Sequence, residues 1–174
     1  MKLRTTTARV IEWKERGTRR MPDFMHIACE EALQGVANGD GGPFGAVVVK
    51  DGKAIASAHN MVLAANDSTA HAEIVAIRKA EQALGTYDLS GCEMYATSYP
   101  CPMCLGAVMW ARIGRVTYQY APEEAAKMGF DDQAFHRAFA SADFARFIEI
   151  RASAEPGCAG LFERWLTSDH RRQY

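Results

Sequence analysis

The sequence has almost no net charge. Twenty Lys and Arg side chains oppose 21 Asp and Glu among 174 residues, for a formal charge of -1 at pH 7. Bulk electrostatics therefore do not favour a nucleic-acid binder or a membrane-surface binder. The charge is unevenly spread, because residues 1–20 carry a local +5 and the remaining residues carry -6. We predict a basic N-terminal extension over residues 1–20 and an acidic domain over residues 21–174.

The sequence also lacks a long hydrophobic run. No stretch reaches the roughly 18 apolar residues that a membrane span needs. The N-terminal segment has no continuous apolar core of the roughly 7–15 residues that a secretory signal requires. We therefore expect a cytoplasmic protein that does not associate with membranes. An organellar transit peptide, or a true start at Met21, remain alternatives for the basic extension.

A disulfide framework is not indicated. The five cysteines are an odd number, and only Cys101 and Cys104 form a CxxC pair. This usage fits a reducing compartment and a metal or redox site. Cys29 lies among apolar positions of helical period and is predicted to be a core residue, whereas Cys92 and Cys158 carry no spacing signal.

The composition is typical of a globular protein. Segments that predict strands alternate along the chain with segments that predict helices. Hydrophobic residues make up 48% of the chain, enough for one well-buried core. Asp23 and Gly39 are predicted to cap the first helix, and Asp51-Gly52 is typical of a hairpin turn. We predict an α/β fold, a three-layer α/β/α sandwich with a five-stranded mixed sheet and helices on both faces. The predicted strands are residues 44–49, 53–59, 93–97, 115–120 and 146–151, and the later helices are residues 70–84, 101–113, 133–142 and a stretch from residue 161.

Two short motifs carry the chemistry. His71-Ala72-Glu73 and Pro100-Cys101-Pro102-Met103-Cys104 each stand at the predicted start of a helix. One imidazole and two thiolates make three protein ligands for zinc, and three ligands leave a fourth position for water, as in catalytic sites. Zinc acidifies such a water toward neutrality. The motifs therefore predict a catalytic zinc bound by His71, Cys101 and Cys104.

Glu73 is predicted to be the general acid and base. A hard carboxylate is not needed to complete a set of two sulfurs and one nitrogen, so proton transfer is its natural role. H-x-E with P-C-x-x-C is the signature of zinc nucleobase deaminases. A redox CxxC pair or plain buried cysteines are the competing interpretations of the second motif alone, and the upstream His-x-Glu argues against both.

From Met21 onward the chain resembles the cytidine deaminase-like zinc hydrolases and, within them, the guanine deaminase family. The Gly-Gly-Pro-Phe-Gly segment and the Pro-Cys-Pro-Met-Cys segment are shared by much of that superfamily. Trp110, the Gly-Phe-Asp-Asp segment and the C-terminal tyrosine are more discriminating. Tyr99 departs from the family pattern, in which an acidic residue commonly precedes Pro-Cys. The segments that carry the resemblance are residues 41–47, 66–73, 100–107, 110–112, 129–132 and Tyr174.

The resemblance implies hydrolysis of guanine to xanthine and ammonia in a purine pocket. An acceptor-only carboxylate suits guanine's adjacent N–H donors, and we favour Asp132 over its neighbour Asp131 for this role. The Asn60 amide is expected at a base edge, and Phe44 and Trp110 are expected to sandwich the ring. The backbone of Ala72 is expected to contact ligand. In similar enzymes the C-terminal tail closes a site, often across a swapped homodimer, which would make Tyr174 its last gate.

Three alternatives remain open at this point. The same zinc set serves guanosine or s-triazine (ammeline) deaminases, because loop shape admits or excludes a ribose. It also serves tRNA adenosine deaminases, although the acidic domain argues against a tRNA partner. A zinc-stabilised interaction domain without turnover is the third alternative, and Glu73 beside three ligands argues against it.

Overall fold

The computed structural model describes residues 23–130 and 132–173. The predicted basic extension, Asp131 and Tyr174 lie outside these residues. The first half begins with helix α1 (Phe24–Asn38), which Asp23 and a left-handed Gly39 cap as predicted. Strands β1 (Gly45–Lys50) and β2 (Lys53–His59) form the predicted hairpin, because Asp51 and Gly52 both adopt positive φ. The short helix α2 (Val62–Ala65) and helix α3 (Ala72–Leu84) follow.

The second half begins with a parallel β-α-β unit. It consists of strand β3 (Cys92–Ser98), helix α4 (Pro102–Trp110) and strand β4 (Arg115–Tyr120). Helices α5 (Pro122–Lys127) and α6 (Asp132–Ser141), a 3-10 turn (Pro156–Cys158) and helix α7 (Leu161–Leu166) complete the order. None of the described helices is long and apolar enough to cross a membrane.

The described strands form one mixed sheet in the order β2-β1-β3-β4. β1 is antiparallel to both neighbours, and β3 is parallel to β4. Alternate residues of β1 face opposite layers: Val47 and Val49 pack with α1, whereas Ala46 and Val48 join the core under α3 and α4. Gly45 admits α1 because a Cβ there would overlap the backbone carbonyl of Ala28. Helices on both faces of an α/β sheet are therefore confirmed.

The prediction of a fifth strand over residues 146–151 is wrong. The segment starts in a turn, in which the amides of Phe147 and Ile148 donate to the Phe144 carbonyl, and continues without regular secondary structure. The Phe147 ring packs on Phe135 of α6 at 5.3 Å, so its apolar surface is used against a helix. A strand needs a hydrogen-bonded neighbour, and in the part of the chain described here the sheet provides none for this segment. The sheet has four strands within those residues.

Candidate active site

The two chemical motifs meet where helices α3 and α4 begin. His71 is the N-cap residue of α3, and Cys101 is the N-cap residue of α4, at the carboxyl end of β3. Neither side chain caps its own helix, so both are available to a ligand. Cys104 follows one turn into α4, which begins with Pro102 because that position needs no backbone donor. The positive ends of the helix dipoles favour thiolates here.

The geometry of these three residues fits zinc. The Nδ1 atom of His71 lies 3.6 Å from the Sγ atom of Cys101 and 3.6 Å from that of Cys104. All three ligand atoms lie within 4.8 Å of one another, and both cysteines are buried. Tetrahedral zinc with bonds of about 2.3 Å to sulfur and about 2.0 Å to nitrogen separates these donors by about 3.5 Å. The predicted ligand set is therefore assembled in a spacing that suits the ion.

The two cysteine thiols of the cluster have pKa values shifted in opposite directions. The hydrogen bond with Cys104, with a further one from His71, lowers the pKa of Cys101 to about 4. The hydrogen bond with Cys101 and burial raise the pKa of Cys104 well above its ordinary value. The hydrogen bond with Cys101 raises the pKa of His71. A cation that binds both sulfurs must displace the Cys104 proton, so metal binding weakens as the pH falls.

Glu73 lies in the first turn of α3 and faces the same space. Only 7% of its surface is exposed, and burial raises the pKa of its carboxyl group. A raised pKa brings a carboxyl group closer to the pH range in which it can both give and accept a proton. The group His71, Cys101 and Cys104 provides three ligands without it, as expected for a proton carrier beside a metal.

A cavity of about 410 Å³ opens above the cluster, a size suited to a small ligand. Six of the predicted site residues line it, and they come from the two loops that flank β1 and β2 and from the starts of α3, α4 and α6. These six are Phe44, Asn60, His71, Glu73, Cys101 and Asp132. Ala72 is fully buried as the first residue of α3.

Asn60 is 4% exposed and organises the loops around the cavity. Its Oδ1 atom accepts N–H groups from Gly42 at 3.4 Å and Val62 at 3.1 Å. These two bonds fix the amide orientation and direct the other end, Nδ2, away from them. The loop-organising role is thus present in the structure, while the base-edge role stays a prediction.

Trp110 is the predicted site residue that the structure places elsewhere. It ends α4, is 64% exposed, and borders a surface groove with Ile74 and Tyr87. The expected sandwich of a ring between Phe44 and Trp110 is therefore not formed within this chain. Trp110 lies six residues beyond Cys104, which is less than two helical turns, at the end of α4 that is farther from the cavity.

Phe130, which was not among the predicted site residues, lies beside Phe44. The two rings meet edge to face at 4.8 Å, and both pack so closely on Gly42 that a Cβ there would come within 2.9 Å of them. Phe130 belongs to the Gly-Phe-Asp-Asp segment that carries part of the family resemblance. The sequence therefore marked this segment, but it did not indicate that Phe130 lines the site. The next described residue, Asp132, has a carboxyl pKa that partial burial and the nearby Cys101 raise.

Tyr99 also lines the cavity. At this position, where the family pattern has an acidic residue, the chain has an aromatic side chain that contacts other rings. Its ring lies 5.0 Å from Tyr118 and 5.3 Å from His136. The ligand distances given above show that this substitution leaves the metal cluster assembled.

Comparison with known proteins agrees with this geometry. Residues 19–120 match the family model of the cytidine and deoxycytidylate deaminase zinc-binding region. Guanine deaminase from Bacillus subtilis is 42% identical over 151 residues, which cover 87% of this chain and 97% of that protein. Its X-ray structure aligns with a TM-score of 0.82 over 90% of this chain and 99% of that one.

Other relatives match a smaller part of the chain. A structure of guanine deaminase from Nitrosomonas europaea is 34% identical, with a TM-score of 0.60 over 63% of each chain. The tRNA-specific adenosine deaminase of Aquifex aeolicus is 43% identical over 95 residues, 55% of this chain and 62% of that protein. The match of the family model and the near-complete alignment with the Bacillus protein show that this chain belongs to the cytidine and deoxycytidylate deaminase family of zinc-binding enzymes.

Proposed function

We propose that this chain hydrolyses guanine to xanthine and ammonia. The observation that carries the proposal is the near-complete alignment, at 42% identity, with a guanine deaminase. That alignment extends to 87% of the chain, whereas the tRNA-specific relative covers 55%. Phe130 and Asp132, which line the cavity, lie beyond residue 120, where the match to the zinc-binding region ends.

The reaction needs one bond made and one bond broken at the amino-bearing ring carbon. Water adds to that carbon, the carbon–nitrogen bond breaks, and ammonia leaves. Zinc held by His71, Cys101 and Cys104 supplies a Lewis acid that makes water nucleophilic at neutral pH. Glu73 takes one proton from the water and gives it to the adjacent ring nitrogen. It then takes the second proton from the hydroxyl group now on that carbon and gives it to the amino group, which leaves as ammonia while the carbonyl forms.

The remaining cavity residues hold the base. We assign Asp132 to the ring N–H and amino donors, because an acceptor-only carboxylate matches them. Phe44 provides an apolar face, and Asn60 presents its amide Nδ2 group at a base edge. The backbone of Ala72, the residue before Glu73, contacts the bound base. For Asp131 and Tyr174, roles as the alternative base reader and the tail gate stay predictions.

We also propose the organisation of the whole chain. Residues 21–174 form the deaminase domain, residues 1–20 are an appended basic extension, and the enzyme is a cytoplasmic homodimer. Large apolar side chains exposed on α4 and α7 support an association surface, among them Met109, Trp110 and Phe162. The tail lies near this surface, because the Tyr87 hydroxyl donates to the Gln173 carbonyl at 3.1 Å.

A tRNA adenosine deaminase is the second candidate, and the local identity to such enzymes is the observation in its favour. An ammonia-release screen of guanine, guanosine, adenosine, cytosine, ammeline and tRNA separates the candidates. We expect guanine to be the best substrate, and tRNA to be unbound by the full-length chain. Faster release from tRNA, guanosine or ammeline than from guanine would refute the proposal.

Asp132→Ala is expected to raise the KM for guanine by about 10-fold to 100-fold, because charge-assisted hydrogen bonds are worth about 1.5–3 kcal/mol. Zinc content should stay at the wild-type value, since Asp132 is not in the ligand group. Steady-state kinetics and metal analysis measure both effects. Asp131→Ala is the comparison, and a normal KM for Asp132→Ala with a raised KM for Asp131→Ala would transfer the role to Asp131.

A further inference from the structure

His59 lies between two carboxylates behind the cavity wall. Its Nδ1 atom is 3.0 Å from Oε2 of Glu31, and its Nε2 atom is 3.0 Å from Oδ2 of Asp40. His59 ends β2, Glu31 is in the middle of α1, and Asp40 stands in the loop after α1. One imidazole ring, 16% exposed, therefore joins a strand, a helix and a loop.

Hydrogen on both ring nitrogens would satisfy both contacts. Ionised carboxylates only accept hydrogen bonds, so each nitrogen that faces one must donate. Both carboxylates are engaged by further donors, since Ser57 donates to Glu31 and Asn38 donates to Asp40. Burial raises the pKa of Glu31, but the hydrogen bonds from Ser57 and His59 outweigh it and leave that pKa below its usual value.

Charge balance also favours the imidazolium form. Glu31 and Asp40 contribute two negative charges, and Lys79 of α3, which donates to the Ser57 carbonyl at 3.0 Å, contributes one positive charge. A positive His59 brings the net charge of these four side chains to zero, although Lys79 itself is solvent-exposed. Partly buried charges that are fully paired avoid the cost of an uncompensated ion.

Close packing holds the ring in this position. Gly35 of α1 faces it, and a Cβ at residue 35 would come within 2.7 Å of the imidazole Cδ2 atom. The helix backbone thus lies directly against the ring. The ring therefore has no room to turn toward α1 without moving the helix.

The cluster is connected to the cavity by backbone hydrogen bonds. The Asp40 carbonyl accepts the N–H groups of Leu63 and Ala64, each at 3.0 Å. The residue after His59 is Asn60, whose N–H donates to the Phe44 carbonyl at 2.9 Å and whose side chain holds Gly42. Leu63, Asn60, Phe44 and Gly42 all line the cavity.

We propose that His59, as an imidazolium held between Glu31 and Asp40, is a positioning residue for the cavity wall formed by residues 41–44 and 60–63. It sets how tightly the base is held. The metal ligands and Glu73 lie in α3 and α4 or at their starts, outside this wall, so His59 leaves the chemical step to them. The inference rests on the proposed function, because guanine turnover is its kinetic readout.

The kinetic test compares His59→Gln with His26→Gln in the zinc-loaded enzyme. His26 also pairs with a glutamate of α1, Glu30 at 3.2 Å, but that pair is solvent-exposed. We expect His59→Gln to raise the KM for guanine at least about 10-fold, with kcat within about threefold of wild type and zinc content unchanged. His26→Gln should match wild type. An unchanged KM, or a loss of kcat and zinc together, in His59→Gln would overturn the positioning role.

Glu31→Gln and Asp40→Asn test the same role with less risk to folding, because both variants keep the side-chain shape. Each should raise KM several-fold, and adding either to His59→Gln should raise KM little further, since the three residues act as one unit. Fully additive effects would overturn the proposal.

A spectroscopic test does not depend on turnover. Nitrogen NMR of histidine-labelled enzyme at pH 7 should show hydrogen on both ring nitrogens of His59, and a neutral tautomer would overturn the inference. A wild-type enzyme that releases no ammonia from guanine refutes the proposed function. Wild-type turnover with a normal KM in His59→Gln refutes only the positioning role.

Discussion

Glu73→Gln is expected to lower kcat for guanine by about four orders of magnitude or more, while the enzyme keeps wild-type zinc content. General acid–base catalysis alone contributes about 10²–10⁴, and here the same carboxylate also helps to generate the nucleophile. Glutamine has nearly the same shape but cannot carry a proton. Because Glu73 is largely buried, bulk water is a poor substitute for it as the proton carrier. Ammonia release and metal analysis on one preparation measure both quantities.

Glu81→Gln is the matched control, because Glu81 stands on the same helix and burial also raises its pKa. It borders the surface groove next to Trp110 rather than the cavity. We expect its kcat to equal that of wild type. Turnover by Glu73→Gln within tenfold of wild type would assign proton transfer to another group, and loss of zinc would make Glu73 a contributor to the metal site.

The parts of the fold that local chemistry determines were predictable. Asp23 and Gly39 end α1 through their own side-chain and backbone preferences, and Asp51-Gly52 imposes a turn whichever strands it joins. The clustering of the three predicted metal ligands was equally predictable, because two short motifs at helix starts come together once the two helices converge. In each case the information lies within a few residues of the feature.

The wrong prediction of a fifth strand came from a feature that depends on distant partners. The apolar pattern of residues 146–151 resembles a strand, yet whether it forms one depends on an open sheet edge. The structure instead gives Phe147 a contact on α6. Trp110 was assigned to the site by resemblance. It lies at the end of α4 on the surface of this chain, so its role in binding the base stays a prediction.

The His59 cluster is a further feature that could not be predicted from the sequence. Its members are separated by up to 48 residues, from Glu31 to Lys79, and none belongs to a recognisable motif. Only the packing of α1 and α3 on the β1–β2 hairpin brings them together. Polar clusters of this kind leave no periodic or spacing signal in one sequence, so a structure is needed to find them.

Cys104→Ala is expected to remove zinc and reduce guanine turnover to background. Cys104 is fully buried, and its Sγ atom lies 3.6 Å from Nδ1 of His71, so it contributes one of three ligands. Losing one of three ligands leaves a histidine and one thiolate, too few to retain the ion against dilution. Because bound metal stabilises only the folded state, the Tm should also fall, and a chelator should lower the Tm of wild type but not of the variant.

Cys92→Ala separates metal loss from packing loss. Cys92 is 2% exposed and Cys104 is 0% exposed, so both substitutions remove a buried sulfur and leave a small cavity. Cys92 belongs to the core under α3 and α4, away from the ligand group. Its variant should lose stability without losing zinc or kcat, and its Tm should still respond to the chelator. If Cys104→Ala keeps one zinc per chain, the ligand assignment is wrong. If Cys92→Ala loses zinc to the same extent, general destabilisation rather than ligand removal empties the site.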